Sequence, residues 1–565
     1  MENIVQGQWF RGPSADLGEP IDQSLRFSSS GYLTRAQLTT GDGKLNDSGR
    51  TFTFSTWFKH GDMGETQIFG IHQSTSDNWL LGWTTSQLGF AARDVGTGYQ
   101  SYNSTRVYRD PSAWYHLFLT CSSGVLTLYV NGVQGNQTDT QNHSMDRDFV
   151  LGAENTGGST PMDAYLAETY FIQGTVLHPV NDGFIRLNED GIYVPDTPTI
   201  SSYGTNGWHL TYDSSQTNGI GHDSSGNDNH FTATGFNTTA ISSANRLNDI
   251  DIKDTPTSNY AVFNPLWHQL TPSLKGANMV LNTANTITGQ ATFRFPVGTT
   301  GKYWVEAGTA NLGNTTNSPA LCLTSELNAA GLTASAHLST VNYSTVSGWG
   351  PAYSNFNSTS STAYTEVGGR VGMAIDFDNQ EVKHYNNSTL LNTDTTVDFT
   401  KELALVVMQP STSYNTYEPY LNAGQQAFIQ TVPTGFNELQ TNNLPEPTIK
   451  NGKEYFDVVT YTGNASTNAI TSLEFQPDFV WIKSRSHSSS HGLYDSIRGV
   501  NKELRSDVTN SEFTFTDSLN SFDSNGFTLG TDTGNGDVNL SGRTYVAWCW
   551  KAGTSYTPTV TGFTS

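Results

Sequence analysis

Basic residues are scarce in this 565-residue chain. Lys and Arg number 28 against 51 Asp and Glu, which gives a formal net charge of −23 at pH 7. No segment concentrates the basic residues, whereas proteins that bind nucleic acid or an anionic membrane need a basic patch. The sequence therefore predicts that neither nucleic acid nor a membrane is a partner.

Long apolar runs and a disulfide framework are also missing. No run approaches the roughly 18 apolar residues that a membrane-spanning helix needs, and the first 19 residues lack the basic start and apolar core of a signal peptide. The three cysteines, Cys121, Cys322 and Cys549, are odd in number and far apart, which predicts buried thiols. We expect a soluble protein stabilised by hydrophobic cores.

Turn-forming and aromatic residues are abundant instead, and they predict an all-β fold. Gly, Asn, Ser and Thr are common, aromatic residues make up 12% of the chain, and charged residues only 14%. The aromatic and β-branched runs at 51–58 and 114–120 are typical of strands, and Asn131-Gly132 is typical of a tight hairpin turn. The length predicts three or four domains of about 120 to 200 residues.

One set of motifs between residues 20 and 195 resembles a known family. The motifs are Ser24–Phe27, Tyr32–Leu33, Thr51–Phe58, Trp114–His116, Leu128–Gly132 and Asp163–Gly174. Together they resemble a laminin-G or pentraxin-type concanavalin-A-like jelly roll. The last motif resembles the closing strand of this fold as it occurs in bacteriophage structural proteins.

Residues 196–270 are rich in Gly, Asn, Asp, Ser and Pro and are predicted to be an extended connector that lies against its neighbours. Two strings in it, Asp223–Asn229 and Asp254–Tyr260, resemble linker motifs of lectin-like proteins of marine phages. Residues 1–19 are interpreted as an N-terminal arm.

Two further segments also resemble known domains. Residues 271–430 contain Gly301–Glu306, Gly372–Asp378 and Val382–Asn387, an order similar to a SPRY (B30.2) β-sandwich. Residues 431–565 contain Pro477–Arg485, Leu493–Gly499 and Tyr545–Lys551, which resemble a β-rich C-terminal domain of phage virion proteins.

The usual catalytic signatures are absent from the sequence. It has no His-Glu-x-x-His, no Gly-x-Ser-x-Gly and no Walker A motif. It also lacks the Glu-x-Asp-x-x-Glu strand that would aim two carboxylates at a glycosidic bond, and Asp376 and Asp378 are interpreted as turn or edge groups. We therefore predict that the chain is not an enzyme and assign no catalytic residue.

Sugar binding needs only exposed aromatic faces and a few polar groups on loops. In the first domain, Asp77 and Asn78 lie in a region that supplies such groups, and the predicted carbohydrate-binding residues are Trp79, Trp83, Tyr99, Tyr102 and Asn103. Packing in the core is the alternative for each of these side chains.

Calcium is the cofactor that the resemblance implies, because laminin-G and pentraxin units often bind it through oxygen ligands. Asp223, Asn227 and Asp228 have a ligand-like spacing but lack the Gly and distal Glu of an EF-hand loop. A turn stabilised by the Asp side chain explains the same residues without an ion.

The resemblances together imply a structural protein on the surface of a bacteriophage particle, as a capsid decoration, a knob or a tail-fibre component. Its expected partners are other capsid or tail proteins, host-surface glycans and further copies of itself, since surface proteins of particles usually assemble around symmetry axes. It would be made in the host cytoplasm and exposed on the virion. The alternatives are a tail-borne polysaccharide depolymerase, whose distant carboxylates would meet in the fold, and a bacterial carbohydrate-binding adhesin.

Overall fold

The computed structural model describes most of the chain and divides it into two compact units. One unit lies within residues 5–188 and 192–447, and the other includes 189–191 and 448–565. The described residues are 16–28, 30–36, 51–61, 66–74, 77–84, 87–94, 98–104, 106–123, 125–139, 148–189, 191–239, 247–265, 274–281, 288–309, 320–325, 345–347, 361–362, 371–386, 388–408, 418–445, 449, 451–533 and 536–552. Within them the regular structure is strands and short 3-10 turns, so the fold is all-β as predicted.

The first part of the larger unit is a sandwich of two seven-stranded sheets. Its strands are β1 (Leu25–Ser28), β2 (Tyr32–Arg35), β3 (Phe52–His60), β4 (Thr66–Ser74), β5 (Asp77–Thr84), β6 (Gln87–Asp94), β7 (Gly98–Asn103), β8 (Trp114–Ser122), β9 (Val125–Val130), β10 (Val133–Asp139), β11 (Asp148–Leu151), β12 (Asp163–Gln173), β13 (Ile185–Leu187), β14 (Tyr193–Pro195), β15 (Trp208–Leu210) and β16 (Thr232–Thr234). One sheet has the order β1-β12-β3-β8-β9-β10 with β15 paired to β12, and the other has the order β16-β2-β11-β4-β5-β6-β7; the remaining strands, β13 and β14, form a separate two-stranded sheet.

Strand β3 shows why these sequences fold as sandwich strands. Phe52, Phe54 and Phe58 join the core between the two sheets, whereas Trp57 packs in a second apolar cluster. Both faces of the strand are therefore covered, which explains its continuous run of large side chains. The predicted hairpin is confirmed, because Asn131 and Gly132 have φ values of 48° and 72° between β9 and β10.

Residues 196–270, predicted to be a connector, mostly complete this first sandwich. Strand β15 pairs with β12 and β16 pairs with β2, while Trp208, Leu210 and Phe231 are core residues. Each of the two strands is only three residues long, which is too short for an alternating pattern to identify it in a segment rich in turn-forming residues.

The second part of the larger unit is another sandwich. Its strands are β17 (Leu274–Lys275), β18 (Val280–Leu281), β19 (Thr288–Phe295), β20 (Lys302–Thr309), β21 (Ala320–Thr324), β22 (Thr345–Ser347), β23 (Ser361–Thr362), β24 (Val371–Asp376), β25 (Glu381–Asn386), β26 (Thr389–Asp394), β27 (Leu403–Met408), β28 (Pro419–Asn422) and β29 (Asn437–Glu438). The sheets are β17-β18-β28-β20-β24-β25-β26, to which β29 adds beside β20, and β19-β27-β21-β22-β23.

The three motifs that resemble a SPRY sandwich lie on neighbouring strands of one sheet. They are 301–306 on β20, 372–378 on β24 and 382–387 on β25, and Asn387 lies outside the described residues. Asp376 accepts hydrogen bonds from Asn379 in the turn after β24, and Asp378 accepts one from Gly301, in accord with their predicted roles as turn groups. Residues Tyr260, Phe263 and Leu439 belong to this core, so the sandwich extends beyond the predicted limits of 271 and 430 at both ends.

The smaller unit consists of short sheets around one core. Its strands are β30 (Phe456–Thr462), β31 (Asn468–Ile470), β32 (Phe479–Ser484), β33 (Gly492–Asp495), β34 (Lys502–Glu503), β35 (Phe513–Thr514), β36 (Leu519–Asp523), β37 (Gly526–Leu529) and β38 (Thr544–Trp550). The sheets have the orders β30-β38-β32-β33, β31-β37-β36 and β34-β35.

Cys121, Cys322 and Cys549 are buried and form no disulfide, as predicted. Burial raises the pKa of the Cys549 thiol to about 12. In the described part of the chain no helix is long and apolar enough to cross a membrane.

The two sandwiches of the larger unit meet around a buried ion pair. Lys59 Nζ lies 2.6 Å from Asp254 Oδ2, and both side chains are 0% exposed. The ammonium also donates to Asn259 Oδ1 at 2.6 Å, and the indole of Trp114 donates to Asp254 Oδ1 at 3.0 Å. Burial lowers the pKa of Lys59 and raises that of Asp254, and their contact opposes both shifts.

We predict that Lys59→Met lowers the free energy of unfolding of the larger unit by about 3 to 5 kcal/mol, because the substitution leaves the Asp254 carboxylate buried without its counter-ion. The double variant Lys59→Met with Asp254→Leu should recover much of that loss. Urea denaturation followed by tryptophan fluorescence measures both.

Lys401→Met is the matched control, since Lys401 and Asp398 form an exposed pair, and it should leave the urea midpoint unchanged. A double variant that is no more stable than Lys59→Met would contradict the prediction, because the loss would then not come from the unpaired Asp254 carboxylate.

Candidate functional site

The residues predicted to bind carbohydrate lie on strands of one sheet. Trp79 on β5 pairs with Ile71 and Ala92. Tyr99 and Tyr102 on β7 pair with Arg93 and Phe90. The side chains of Trp79, Tyr99 and Tyr102 lie outside the described residues.

Trp83 and Asn103 have different surroundings. Trp83 is 1% exposed in the core, with its ring centroid 4.5 Å from that of His60 and 5.6 Å from that of Phe58. Its ring therefore has no open face for a sugar, because strand alternation directs it inward together with Leu81. Asn103, at the end of β7, is exposed.

The residues predicted to bind calcium lie in a turn, and the carboxylate of Asp223 in this turn already accepts four hydrogen bonds. Asp223 Oδ1 accepts from the backbone N–H groups of His209 and Ser225 at 2.9 Å, and Oδ2 accepts from the Ser225 hydroxyl at 2.9 Å and from Asn229 N at 2.8 Å. Asn227 turns its amide to the carbonyls of Gly204 and Gly207. This geometry agrees with the Asp-stabilised turn.

A different group of polar side chains is presented by a bulge in β12. Ala167 pairs with Trp57 and Tyr170 with Ser55, so Glu168 and Thr169 together oppose the single residue Thr56. Glu168 has a φ of 46°, a left-handed conformation that costs a non-glycine residue about 1 kcal/mol or more. Bulges of this kind redirect side chains and are frequent at functional sites.

The two bulge residues have opposite environments. Thr169 is buried, and its hydroxyl lies 2.7 Å from that of Thr56 and 2.6 Å from that of Tyr212. The Glu168 side chain is 23% exposed and lies beside His209, which is 15% exposed. The bulge therefore presents a carboxylate at the surface from the middle of a buried strand.

The Glu168 cluster, which we define as Glu168, Tyr170, Tyr203 and His209, combines a carboxylate with aromatic rings. Glu168 Oε2 lies 2.6 Å from His209 Nε2 and accepts a hydrogen bond from the Tyr170 hydroxyl at 2.8 Å. The rings of Tyr170 and His209 are stacked, with centroids 4.0 Å apart. Tyr203 is a half-buried ring that packs on the apolar cluster to which Tyr170 belongs.

Burial governs the ionisation of both tyrosines. It raises the pKa of Tyr203 to about 12, with a further contribution from the negative charges of Asp223 and Glu168. Burial and the neighbouring Glu168 also raise the pKa of Tyr170 far above its usual value. Both phenols are therefore neutral at physiological pH and can donate hydrogen bonds.

The Asp223 turn fixes the segment that supplies Tyr203 and His209. Asn227 and Asn229 both donate to the carbonyl of Gly207, at 2.9 and 2.7 Å. Gly204 has a φ of 71°, and a Cβ at this position would lie 2.6 Å from the carbonyl oxygen of Gln173. The motif at 223–229 thus holds residues 203–209 against the end of β12.

The cluster is suited to binding hydroxyl groups. A carboxylate and an imidazole accept or donate hydrogen bonds, and a tyrosine ring offers an apolar face to the C–H groups of a sugar. Glycosidic hydrolysis needs a second carboxylic group, and the nearby Asp223 is committed to four hydrogen bonds of its turn. Among the described residues no group of three His, Cys, Asp or Glu side chains is arranged to hold a metal ion.

Sequence reasoning missed this cluster because Glu168 lies inside a predicted strand. The only available signal was an acidic residue between Ala167 and Thr169 in an otherwise apolar and aromatic run. Tyr203 and His209 lie in the segment predicted to be a connector, so nothing in the sequence brought them close to β12.

Comparison with known proteins assigns a type to two segments. Residues 31–177 match the concanavalin A-like lectin/glucanases superfamily, so the first sandwich contains a lectin-like domain of this type, as predicted. Residues 451–565 match a domain of unknown function, DUF7483. No curated protein matches the chain.

Several solved structures are similar to this chain at low identity. The sialidase CBM40 of Ruminococcus gnavus bound to α2,3-sialyllactose is 14% identical, with 26% of this chain and 86% of that chain covered and a TM-score of 0.21. A heptameric SAP-like pentraxin from Limulus polyphemus is 14% identical, with 29% and 80% covered and a TM-score of 0.23. Domains LG4-5 of the mouse laminin α1 chain are 12% identical, with 78% and 94% covered and a TM-score of 0.24.

We predict that Asp223→Ala lowers the melting temperature of the larger unit, because four donors lose their acceptor, at a cost of about 1 to 3 kcal/mol. Neither calcium nor EDTA should shift the melting temperature of the unaltered protein. Differential scanning fluorimetry measures both effects.

Asp228→Asn is the control, since this exposed residue with a φ of 57° tolerates asparagine. A rise in melting temperature with calcium that disappears in Asp228→Asn would establish an ion site in this turn.

Proposed function

We propose that this chain is a lectin-like protein that binds glycans at the Glu168 cluster and does not hydrolyse them. The observation on which the proposal depends is the bulge of β12, which holds Glu168 in a left-handed conformation at the surface of a lectin-type sandwich. A strained residue at the surface is a reason to look for function, because surrounding contacts must compensate its cost.

The composition of the cluster supports binding more than catalysis. Its single carboxylate is partly exposed and hydrogen-bonded to Tyr170 and His209, which orient it before any ligand arrives. Such preorganisation reduces the entropy cost of binding. A ligand with several hydroxyl groups would accept from the Tyr203 hydroxyl and donate to the carboxylate of Glu168, which Tyr170 and His209 hold in place.

We further propose that the protein is displayed on a bacteriophage particle, where it contacts other virion proteins and copies of itself. The support is the resemblance of residues 223–229 and 254–260 to marine-phage motifs. The order of a jelly roll, a SPRY-like sandwich and the domain matched at 451–565 adds to it. In this role the Glu168 cluster would adsorb the particle to glycans of the host surface.

The glycan proposal predicts that the purified chain binds members of a glycan array and that Glu168→Gln weakens that binding by at least about tenfold, because a hydrogen bond to a charged group is lost. Tyr203→Ala should weaken it as well. Glu154→Gln, on an exposed loop of the same sandwich, should have no effect.

Reducing-sugar release from the bound polysaccharide separates binding from hydrolysis. Release above that of heat-inactivated protein would overturn the non-enzymatic proposal in favour of a depolymerase. Binding that is insensitive to Glu168→Gln but lost in Asn103→Ala would place the site at the end of β7 instead.

The virion proposal predicts that antibodies raised against the purified chain label intact particles from an infected culture. Immunogold electron microscopy would show gold at regular positions on heads or tails. Labelling of the bacterial surface in uninfected cultures would instead favour an adhesin.

A further inference from the structure

The smaller unit has a sheet with two unlike faces. On one face of β30-β38-β32-β33, side chains including Val480, Ile482, Tyr545, Ala547 and Cys549 are buried in the core of the unit. Strand alternation places the intervening residues on the opposite face. We define the aromatic face as Phe456, Phe479, Trp481, Trp548 and Trp550, which lie on that opposite side.

The strand register arranges these rings in two rows across the sheet. Trp548 pairs with Trp481 on one side and with Val458 on the other, and the Trp481 and Trp548 ring centroids are 5.7 Å apart. Trp550 pairs with both Phe456 and Phe479, with ring centroids at 5.0 and 5.2 Å. The aromatic face is therefore one continuous surface.

The rings of this face remain accessible although they are large and apolar. Phe456 is 40% exposed, and Phe479, Trp481, Trp548 and Trp550 are half-buried. Leaving apolar area in water is unfavourable, and contiguous apolar patches on a protein surface mark interaction sites. None of the five rings belongs to the core of the unit, so the face is available to a ligand.

One ring of the face is fixed in orientation before any ligand binds. The indole N–H of Trp481 donates to His491 Nδ1 at 2.8 Å, and the His491 ring packs 5.6 Å from the indole. A fixed ring loses little rotamer freedom when a ligand stacks on it. Trp481 is thus a prepared stacking surface beside Trp548.

The charged side chains at the border of the face make contacts within the unit. Lys483 Nζ donates to the carbonyl of Ser489 at 2.7 Å, Asp495 is bonded to Arg498, and the Lys551 ammonium lies 5.2 Å from the ring centroid of Tyr455. Bases of nucleic acids also stack on aromatic rings, but their phosphates require available cations, and the chain has a net charge of −23. The charge pattern fits a flat neutral ligand.

We propose that the aromatic face binds a β-1,4-linked polysaccharide chain. Sugars linked in this way extend as a ribbon whose C–H groups form two flat apolar faces, while the hydroxyl groups point to the edges. The ribbon would lie with one apolar face on Trp481 and Trp548 and the next unit on the row of Trp550. This site lies in a different unit from the Glu168 cluster and does not depend on it.

The test uses the full chain with cellohexaose and chitohexaose as probes, in isothermal titration calorimetry and by the change in tryptophan fluorescence. We expect at least one of the two to bind, and Trp481→Ala and Trp548→Ala each to weaken its binding by about tenfold or more. Phe513→Ala is the matched control, because this ring lies on β35 against Arg505 and outside the face.

Three results would overturn the proposal. The first is that neither hexasaccharide binds, and the second is that both tryptophan variants bind as well as the unaltered protein. The third is a dimer in analytical ultracentrifugation that dissociates in Trp548→Ala, because it would show that a second copy covers the face. Near-ultraviolet circular dichroism and the melting temperature establish that the variants are folded. If the variants do not fold, Trp481→Phe and Trp548→Phe replace them, and an affinity for both hexasaccharides equal to that of the unaltered protein would equally overturn the proposal.

Discussion

The buried pair of Lys59 and Asp254 is the constraint on which the larger unit depends. A lysine without contact with water is tolerable only if its charge is matched and its three N–H donors are satisfied. The carboxylate of Asp254, the amide oxygen of Asn259 and the carbonyl of Tyr260 meet that requirement. One short segment must therefore fold over β3.

That requirement determines how the rest of the unit is connected. Immediately after Tyr260, Ala261 and Phe263 enter the core of the second sandwich, so the segment that neutralises Lys59 also begins the next domain. Further bonds between the two sandwiches reinforce the junction, such as that from the Tyr165 hydroxyl to the carbonyl of Ala277 at 3.0 Å. The polar side chains of the Asp254–Tyr260 string all make hydrogen bonds in this junction.

Sequence patterns predicted those parts of the fold that depend on local chemistry. The strands around Phe54 and Leu117 and the Asn131-Gly132 turn follow from aromatic content, β-branching and positive φ. Long-range pairing was not predictable, since Trp208–Leu210 and Thr232–Thr234 become strands only because β12 and β2 offer free edges. The Glu168 cluster was not predictable for the same reason. A bulge depends on the register of two strands and cannot be recognised in the sequence of either strand alone.

The edge of β12 has a further consequence for how the chain is made. Leu25–Ser28 pairs with one half of this edge and Trp208–Leu210 with the other, so the sheet takes strands from both ends of a long stretch of sequence. During translation β3 leaves the ribosome almost 200 residues before Asp254 does, and until then Lys59 has no counter-ion. A nascent chain that stops near residue 195, where a domain boundary was expected, would hold two nearly finished sheets with half of the β12 edge unpaired and with Lys59 not yet covered. The charge of Lys59 becomes buried only when residues 254–260 have been synthesised and fold over β3, so the junction between the two sandwiches forms late in translation.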